Sequence, residues 1–297
     1  MQRRIAHHSE VGAYYDRNTR RFLRFVGGSG ALHRKLWPPE VHTERQALLY
    51  VNRIVLDILK QHLGVRVLHH DGSRRDVKRR DGISSSRVRV IDLGCGVGGT
   101  MLWLADRLDA RLTGITLSPV QAKIARETAV KRGLDKRCSF QVSDILEFQP
   151  QALFHGAVAV ESFAHVESAE EFFGQVSKLL ARRGVLVLID DMTAEDLERH
   201  PEAERWIRRF TGGWHLHSLT TVSHILSCAL RKGLVLIENR DLTSLIRVNP
   251  LLLFFLRPLL LVPLPWYFWD NVRGGIALQL CTRRGYTRYH CMVFRKD

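Results

Sequence analysis

The sequence predicts an α/β domain: a Rossmann-like sheet of seven strands, with a helical N-terminal cap and a lid inserted between the last two strands. Three observations carry this. From Arg87 onward, apolar runs of strand length alternate with helical spacing, which is how a parallel sheet covered on both faces reads. The first of these runs, Val88 to Leu93, passes directly into the glycine cluster Gly94-Cys95-Gly96-Val97-Gly98-Gly99, and Thr100 then opens a helix. Residues 1 to about 64 have helical apolar spacing and no strand pattern, which makes them a cap and not part of the sheet.

Within the cap, Tyr14-Tyr15-Asp16 leads into Phe22, Leu23 and Phe25, a glycine turn follows at Gly27-Gly28-Ser29-Gly30, and Glu44 to Leu63 is helical in spacing. His33, Arg34, Lys35 and Trp37 beside Pro38-Pro39 combine cations with an apolar ring, as a site for an anion next to an apolar group would. His69 to Ser86 is charged and turn-rich and reads as a linker or mobile insertion. The first strand is Arg87 to Leu93, and its helix runs from Met101 to Leu108. Arg111 to Thr116 is the second strand; Ser118-Pro119 starts the next helix with a side-chain cap and a proline in the first turn, and Gly133 stops it. The third strand, Cys138 to Val142, is closed by Ser143-Asp144-Ile145. The fourth, Gly156 to Val160, runs into Glu161-Ser-Phe-Ala-His165. A capping box at Ser168-Ala-Glu-Glu171 begins a helix expected to close near Arg182-Arg183-Gly184. The fifth strand, Val185 to Ile189, is expected to exit through Asp190-Asp191-Met192. Leu219 to Lys232 is an amphipathic helix stopped by Gly233, Leu234 to Ile237 the sixth strand, and Tyr286 to Arg295 a last, antiparallel strand.

The glycine turn is a nucleotide-binding turn, because residues without a side chain let the main chain lie close against a ligand. Gly94-x-Gly96-x-x-Gly99 also satisfies a dinucleotide fingerprint, but two details break the tie. Asp92 stands two residues before the first glycine, within reach of an amino acid ammonium. The second strand ends in Thr116, where NAD would call for an acid to hold its ribose. On these residues the chain resembles the class I S-adenosylmethionine-dependent methyltransferases (EC 2.1.1). Gly114-Ile-Thr-Leu-Ser-Pro-Val-Gln121 resembles the branch holding cyclopropane fatty acid synthases, sterol C-methyltransferases and tocopherol methyltransferases, in which a polar Thr-x-Ser-x-x-Gln stands in for the ribose acid. The resemblance implies S-adenosylmethionine as cofactor, held by Asp92, Gly94, Gly96, Gly98, Thr116, Ser118, Gln121, Asp144 and Ile145. Asp144 would receive the adenine amino group, or else only cap a turn. It also implies a division into cap and linker at 1–86 and a methyltransferase domain at 87–297, with the lid at about 244–280.

The net charge of +15 admits a nucleic acid, a polyanionic small substrate or a solvated basic surface. No aromatic-interleaved ribbon, zinc finger or RNP-like signature accompanies the basic clusters at Arg17–Lys35 and Arg74–Arg80, so no nucleic acid is expected. Five widely spaced cysteines and an N-terminus with no apolar segment point to a reducing cytoplasm, and no Cys/His pair has zinc spacing, so no metal is expected. Asn249 to Asp270 is nearly long enough to span a membrane, but four prolines and Arg257 oppose a regular spanning helix. It reads as an apolar lid over a lipophilic substrate, as a peripheral membrane contact, or as a dimer contact in a homo-oligomer.

Such a cofactor carries its own electrophile, so the protein chiefly aligns a nucleophile and excludes water. An oxygen or nitrogen acceptor wants a base, for which His165, His215 or His217 is available. A carbon acceptor on an alkene leaves a tertiary cation, which wants aromatic faces and a carboxylate. Glu161 is the candidate carboxylate, or else it only hydrogen-bonds the cofactor or a core amide, and the aromatics Tyr14, Tyr15, Phe22, Trp37, Trp214, Trp266 and Phe268 are at hand. Glu161 in Ala159-Val-Glu-Ser-Phe, with the N-terminal Tyr-Tyr-Asp and Ala-Leu-His-Arg-Lys-Leu-Trp and the closing Arg-Gly-Tyr-x-x-Tyr, resembles the bacterial terpenoid C-methyltransferases, in which a Glu after the fourth strand is the general base. The resemblance implies methylation of an alkene carbon of a prenyl diphosphate or prenyl chain through a carbocation, in terpenoid or natural-product biosynthesis. Glu161 and His165 are then the catalytic candidates, and Tyr14, Tyr15, His33, Trp37 and Trp214 the substrate contacts. Arg34, Lys35, Arg273, Arg283 and His33 are the candidates to hold a diphosphate, with Mg2+ only as its counterion. The alternatives are an O-, N- or ring C-methyltransferase of a lipophilic quinol, phenol or alkaloid with His165 as base, and a non-catalytic cofactor-binding or scaffold protein.

Overall fold

The computed structural model describes residues 12, 15, 16, 18, 19, 33–68, 88–256 and 267–297. Tyr14, Phe22, the arginines at 17, 20, 21 and 24, the linker His69–Ser86, Trp266 and the side chain of Phe268 lie outside the described residues. Seven strands, β1 (Arg89–Leu93), β2 (Arg111–Thr116), β3 (Cys138–Val142), β4 (Phe154–Val160), β5 (Leu180–Thr193), β6 (Leu234–Asp241) and β7 (Thr287–Lys296), form one sheet in the order β3-β2-β1-β4-β5-β7-β6. β1 to β5 are parallel, and β7 enters antiparallel to both β5 and β6. The order reverses between β1 and β4, which opens a crevice at the carboxyl ends of those strands.

The helices start and stop where side chains can satisfy their ends. Thr43 and Gln46 form a reciprocal capping box ahead of α1 (Glu44–Leu48), and α2 (Tyr50–Leu63) ends on Gly64 in the left-handed region. One face of α2 buries Val51, Ile54, Val55, Ile58, Leu59 and Leu63 in the core, and it comes so close to β4 that a Cβ on Gly156 would lie 3.0 Å from Leu63 Cδ1. The glycine turn leads into α3 (Gly99–Ala105). Helix α4 (Pro119–Lys131) has Ser118 as its cap and Pro119 in its first turn, as the sequence predicts. Helices α5 (Ala169–Leu179) and α7 (Val222–Arg231) cover the other face with Phe172, Phe173, Val176, Ile225 and Ala229, where Phe163, Phe172, Phe173 and Phe294 pack ring against ring.

Two expectations are corrected here. The helix begun at Ser168 closes at Leu179, before Arg182-Arg183-Gly184, because Leu180 is already extended and paired with Phe154. Asp190-Asp191-Met192 belong to β5 and are not its exit, because β7 pairs with β5 as far as Thr193↔Thr287. Between β6 and β7 the described residues include the helices α8 (Pro250–Leu256) and α9 (Tyr267–Arg284), and among the described residues no helix is long and apolar enough to cross a membrane.

Helix α9 crosses α6 (Ala203–Trp214), which lies between β5 and α7, backbone against backbone. A Cβ on Gly213 would fall 2.4 Å from the Asp270 carbonyl oxygen and 2.8 Å from Gly274 Cα, whereas one on the neighbouring Gly212 would meet nothing within 4 Å. Gly213→Ala is therefore expected to destabilise by about 1–3 kcal/mol through overpacking, and Gly212→Ala to stabilise by about 0.5–1 kcal/mol as an exposed helical glycine replaced. Chemical denaturation of the two variants beside the parent chain checks the sign of each.

Candidate active site

A cleft of about 440 Å³ opens at the reversal point between β1 and β4, where the strands end in polar residues. Its floor is the glycine turn. Gly94 has φ +90° and presses on Ser162, so that an added Cβ would sit 2.5 Å from Ser162 Cβ, while Ser162 Oγ donates to Leu93 O at 2.5 Å. Gly96, at φ +53° and with open space where a Cβ would go, presents bare backbone to the cleft. Gly98 does not line the cleft. It caps α3 at φ +79°, and a side chain there would strike the Phe140 ring at 2.7 Å.

Around this floor stand the polar groups expected from the sequence. Asp92 is 4% exposed, faces the cleft and accepts no hydrogen bond from any described residue; burial alone pushes its carboxyl up to about 7. At the end of β2, Thr116 Oγ1 donates to Gln121 Oε1 at 2.8 Å, which leaves the Gln121 amide N–H groups for an acceptor in the cleft. Asp144 and Ile145 line the wall after β3; Asp144 also orders its own turn, taking the Leu146 N–H on its carboxylate and the Phe148 N–H on its carbonyl. Ser118 is fully buried and does not line the cleft; it caps α4 and donates to Asp16. A partnerless buried acid, an open glycine backbone, an amide at the β2 end and an acid after β3 fit S-adenosylmethionine, whose ammonium, carboxylate, ribose and adenine ask for those partners.

The second half of the cleft is organised by buried charge. Glu161 follows β4 with φ +50°, a conformation in which few side-chain-bearing residues are found, and its N–H donates to Ile189 O. Its Oε1 accepts from the Arg34 backbone N–H at 2.7 Å and from Tyr289 Oη at 2.8 Å. Burial raises its pKa, and the Arg34 N–H, the Arg34 charge and the Tyr289 hydroxyl each pull the other way. Asp190 accepts from the Ala164 and Asp191 N–H groups, and burial with its neighbour's charge pushes it up to about 8. Asp191 lies 3.0 Å from Arg34 Nη2, an ion pair off the line of a well-formed hydrogen bond, and burial still holds it at about 6. The Arg34 guanidinium also donates to Thr282 Oγ1 and sits 5.4 Å from the centre of the Tyr289 ring.

On the apolar side, Phe210, Trp214, Leu216 and Leu278 line the cleft together with Tyr15 and His165. Tyr15 Oη meets His165 Nε2 at 2.9 Å, and His165 Nδ1 lies 3.3 Å from the His215 carbonyl. His33 lines the cleft between Asn52 Oδ1 and the Arg34 carbonyl, and burial lowers its pKa. The remaining sequence candidates lie elsewhere. Trp37 is drawn away from the cleft by Arg247, whose guanidinium stacks 4.3 Å from its ring centre, and Lys35 pairs with Glu44 at the surface. Neither His215 nor His217 lines the cleft, because His215 ends α6 and the His217 N–H bonds Ala164 O. Sequence reasoning missed Tyr289, Asp190, Asp191 and Phe210 as site residues. The signal for Tyr289 lay in Arg-Gly-Tyr-x-x-Tyr at 284–289, and that for the two acids in an acidic pair closing an apolar strand.

The comparisons with known proteins agree with this fold. A rice 24-methylenesterol C-methyltransferase (Oryza sativa subsp. japonica) is 31% identical over 159 residues, 52% of this chain and 43% of the relative. An ajmaline N-methyltransferase of Rauvolfia serpentina is 30% identical over 125 residues, 40% of this chain and 43% of the relative. The chain thus spans less than half the length of either. The geranyl diphosphate C-methyltransferase of Streptomyces coelicolor A3(2), solved with Mg2+, geranyl diphosphate and S-adenosyl-L-homocysteine, shares the fold with a TM-score of 0.69 at 19% identity, covering 98% of both chains. The family model for mycolic acid cyclopropane synthetase matches residues 85–244, from the start of the sheet through the cofactor wall, Glu161 and the acids of β5, and with more than half of its length so matched the chain belongs to that family of class I S-adenosylmethionine-dependent methyltransferases.

Proposed function

We propose that this protein methylates an alkene carbon of a lipophilic prenyl chain, with Glu161 as the group that stabilises the resulting cation and removes a proton from it. The observation that carries the reading is a carboxylate fixed by two donors inside a cleft lined by aromatic rings. When bound, S-adenosylmethionine supplies an electrophilic methyl group. The chain's own residues do the rest. Asp92, the glycine turn, Gln121 and Asp144 bind and orient the cofactor. Phe210, Trp214 and Leu278 exclude water, and the two aromatic residues among them offer ring faces to positive charge. Glu161 Oε1, already holding two donors, keeps the carboxylate aimed, and burial makes it a stronger base than an exposed carboxylate. A prenyl diphosphate is the favoured form of the substrate, in line with the excess of basic residues over the whole chain.

A second reading, methylation of a nitrogen or oxygen on a lipophilic natural product, is favoured by His165, whose Nε2 meets Tyr15 Oη at 2.9 Å on the cleft wall. The relative named for N-methylation of ajmaline supports the same reading.

Glu161→Gln is expected to abolish methyl transfer to a prenyl acceptor while S-adenosylmethionine binding stays intact by calorimetry. Turnover that survives Glu161→Gln and disappears in His165→Ala would hand the site to the second reading. The sign of the pH dependence follows from burial. Glu161 must be ionised to accept a proton, so kcat/KM falls as pH drops, and the midpoint of that acid limb lies above 4.5 because the buried carboxyl is raised from there. Asp92→Asn keeps the shape and removes the charge, and is expected to weaken S-adenosylmethionine binding by about tenfold to a hundredfold, the range of a charge-assisted hydrogen bond, as read by equilibrium titration.

A further inference from the structure

Glu161 is aimed by a peptide N–H, and that peptide is held by side chains that lead back to the cofactor floor. The N–H accepted by Glu161 Oε1 at 2.7 Å belongs to the peptide joining His33 to Arg34. Beyond this point the leader is fastened by its main chain: the Leu36 N–H donates to Ala47 O and the Trp37 N–H to Leu245 O. The Arg34 guanidinium is fastened separately, at Asp191 and Thr282. Among the described residues, the hold on the other side of the peptide is the His33 ring. Its Nδ1 lies 3.3 Å from the Arg34 carbonyl oxygen, and its Nε2 lies 3.1 Å from the side-chain amide of Asn52 on α2. The same amide meets Thr100 Oγ1 at 3.0 Å, in the first turn of α3 beside the glycine turn.

Asn52 is 0% exposed, next to Val51 and on a helix whose other buried residues are all apolar. A buried amide in such a place costs stability unless its hydrogen bonds are met. Proton count decides how they are met. Burial keeps His33 neutral, and a neutral imidazole donates from one nitrogen and accepts at the other. The Arg34 carbonyl can only accept, so Nδ1 carries the proton and Nε2 takes one. The end of the Asn52 amide that faces His33 is therefore its N–H end, which gives one proton to Nε2 and one to Thr100 Oγ1; turned the other way, its nitrogen is buried with no partner. One amide thus joins α3, on the cofactor side of the cleft, to the peptide that touches Glu161.

We infer that Asn52 and His33 are positioning residues, which hold the His33–Arg34 peptide in place and through its N–H aim the Glu161 carboxylate into the cleft. The inference rests on the reading of Glu161 given above and deepens it. His33 lines the cleft, but its duty there is to the carboxylate. Glu161 faces Arg34 from the leader, Tyr289 from β7, and Asp190 and Asp191 from β5. Of these contacts, the Arg34 N–H is the one that depends on Asn52 and His33, since the guanidinium keeps its own partners. Neither Asn52 nor neutral His33 carries charge, so replacing them takes away no Coulombic partner. What is lost is a donor to the ionised form of Glu161, and the pKa of Glu161 then rises.

The test uses the full chain, Asn52→Leu, His33→Leu, the double variant, and Ile58→Val as a control that loosens the same helix without touching a polar group. The titration of Glu161 is followed by NMR of carboxyl-labelled glutamate with no acceptor present, its signal identified by its loss in Glu161→Gln. The expected result is a pKa raised by about one unit in each single variant, the size of a hydrogen bond to a charged group. The double variant adds little to either, because both residues act through one peptide. Ile58→Val lowers thermal stability and leaves the titration where it was. With a prenyl acceptor, the acid limb of kcat/KM moves up in parallel in the two single variants. A Glu161 titration unchanged in Asn52→Leu and His33→Leu overturns the inference, and so does an equal shift in Ile58→Val, which would make the effect a general loosening of α2. If the titration moves as expected while the parent chain methylates no prenyl acceptor, the prenyl reading fails and the positioning of Glu161 stands without it.

Discussion

One carboxylate oxygen ties the molecule together. Glu161 Oε1 receives the backbone N–H of Arg34 from the leader and the hydroxyl of Tyr289 from the last strand, so three segments remote in sequence converge on one atom. Removing a carboxylate from water is costly unless donors replace the water, and here the donors come from elements far apart in the sequence. The antiparallel entry of β7 between β5 and β6 sets Tyr289 opposite Asp191, which brings its ring under the Arg34 guanidinium. The fold therefore closes over a charged centre, in which Asp190 and Asp191 are buried, Glu161 is half-buried, and the Arg34 guanidinium faces Asp191. The raised carboxyls of Asp190 and Asp191 show how such a centre avoids full repulsion, by holding protons that exposed acids would release.

The two halves of the cleft obey different rules. The cofactor half is mostly backbone: glycines whose missing side chains allow close approach, strand ends and a helix start. The other half is side chains on inserted helices and on the last strand, and its aromatic wall depends on Gly213 and Gly274 letting α6 and α9 touch. A Cβ on Gly274 would lie 2.4 Å from Trp214 Cδ1, so the position of that ring is set by the absence of an atom on the facing helix.

This division governs how much could be read from the sequence. Strands β2 and β3 and the start of α4 are where the pattern puts them, because Ser118, Pro119 and short apolar runs act locally. That the glycine turn, Asp92, Thr116, Gln121, Asp144 and Glu161 gather at one cleft was legible for the same reason, since each lies at or within a few residues of a strand end. The errors are non-local. Asp190 and Asp191 look like a strand exit until β7 extends the pairing past them. Trp37 looks like a substrate contact because its attraction to Arg247 leaves no mark in the residues around it. Tyr289 was visible in a motif, but its duty depends on a register that only the assembled sheet defines. Gly98 and Ser118 belong to the cofactor motif in sequence and serve it at one remove, as the cap of α3 and the cap of α4.

Arg34 acts on Glu161 and on Asp191 through different parts of itself. The hydrogen bond that aims Glu161 comes from its main chain, which every residue but proline possesses, while the charge opposite Asp191 comes from its side chain. Orientation of the Glu161 carboxylate is thus uncoupled from the chemical identity of residue 34, whereas the electrostatic balance of the cleft is not. A lineage of such proteins is free to change the charge of its cleft at this one position, and with it the kind of molecule admitted, without disturbing the aim of the carboxylate.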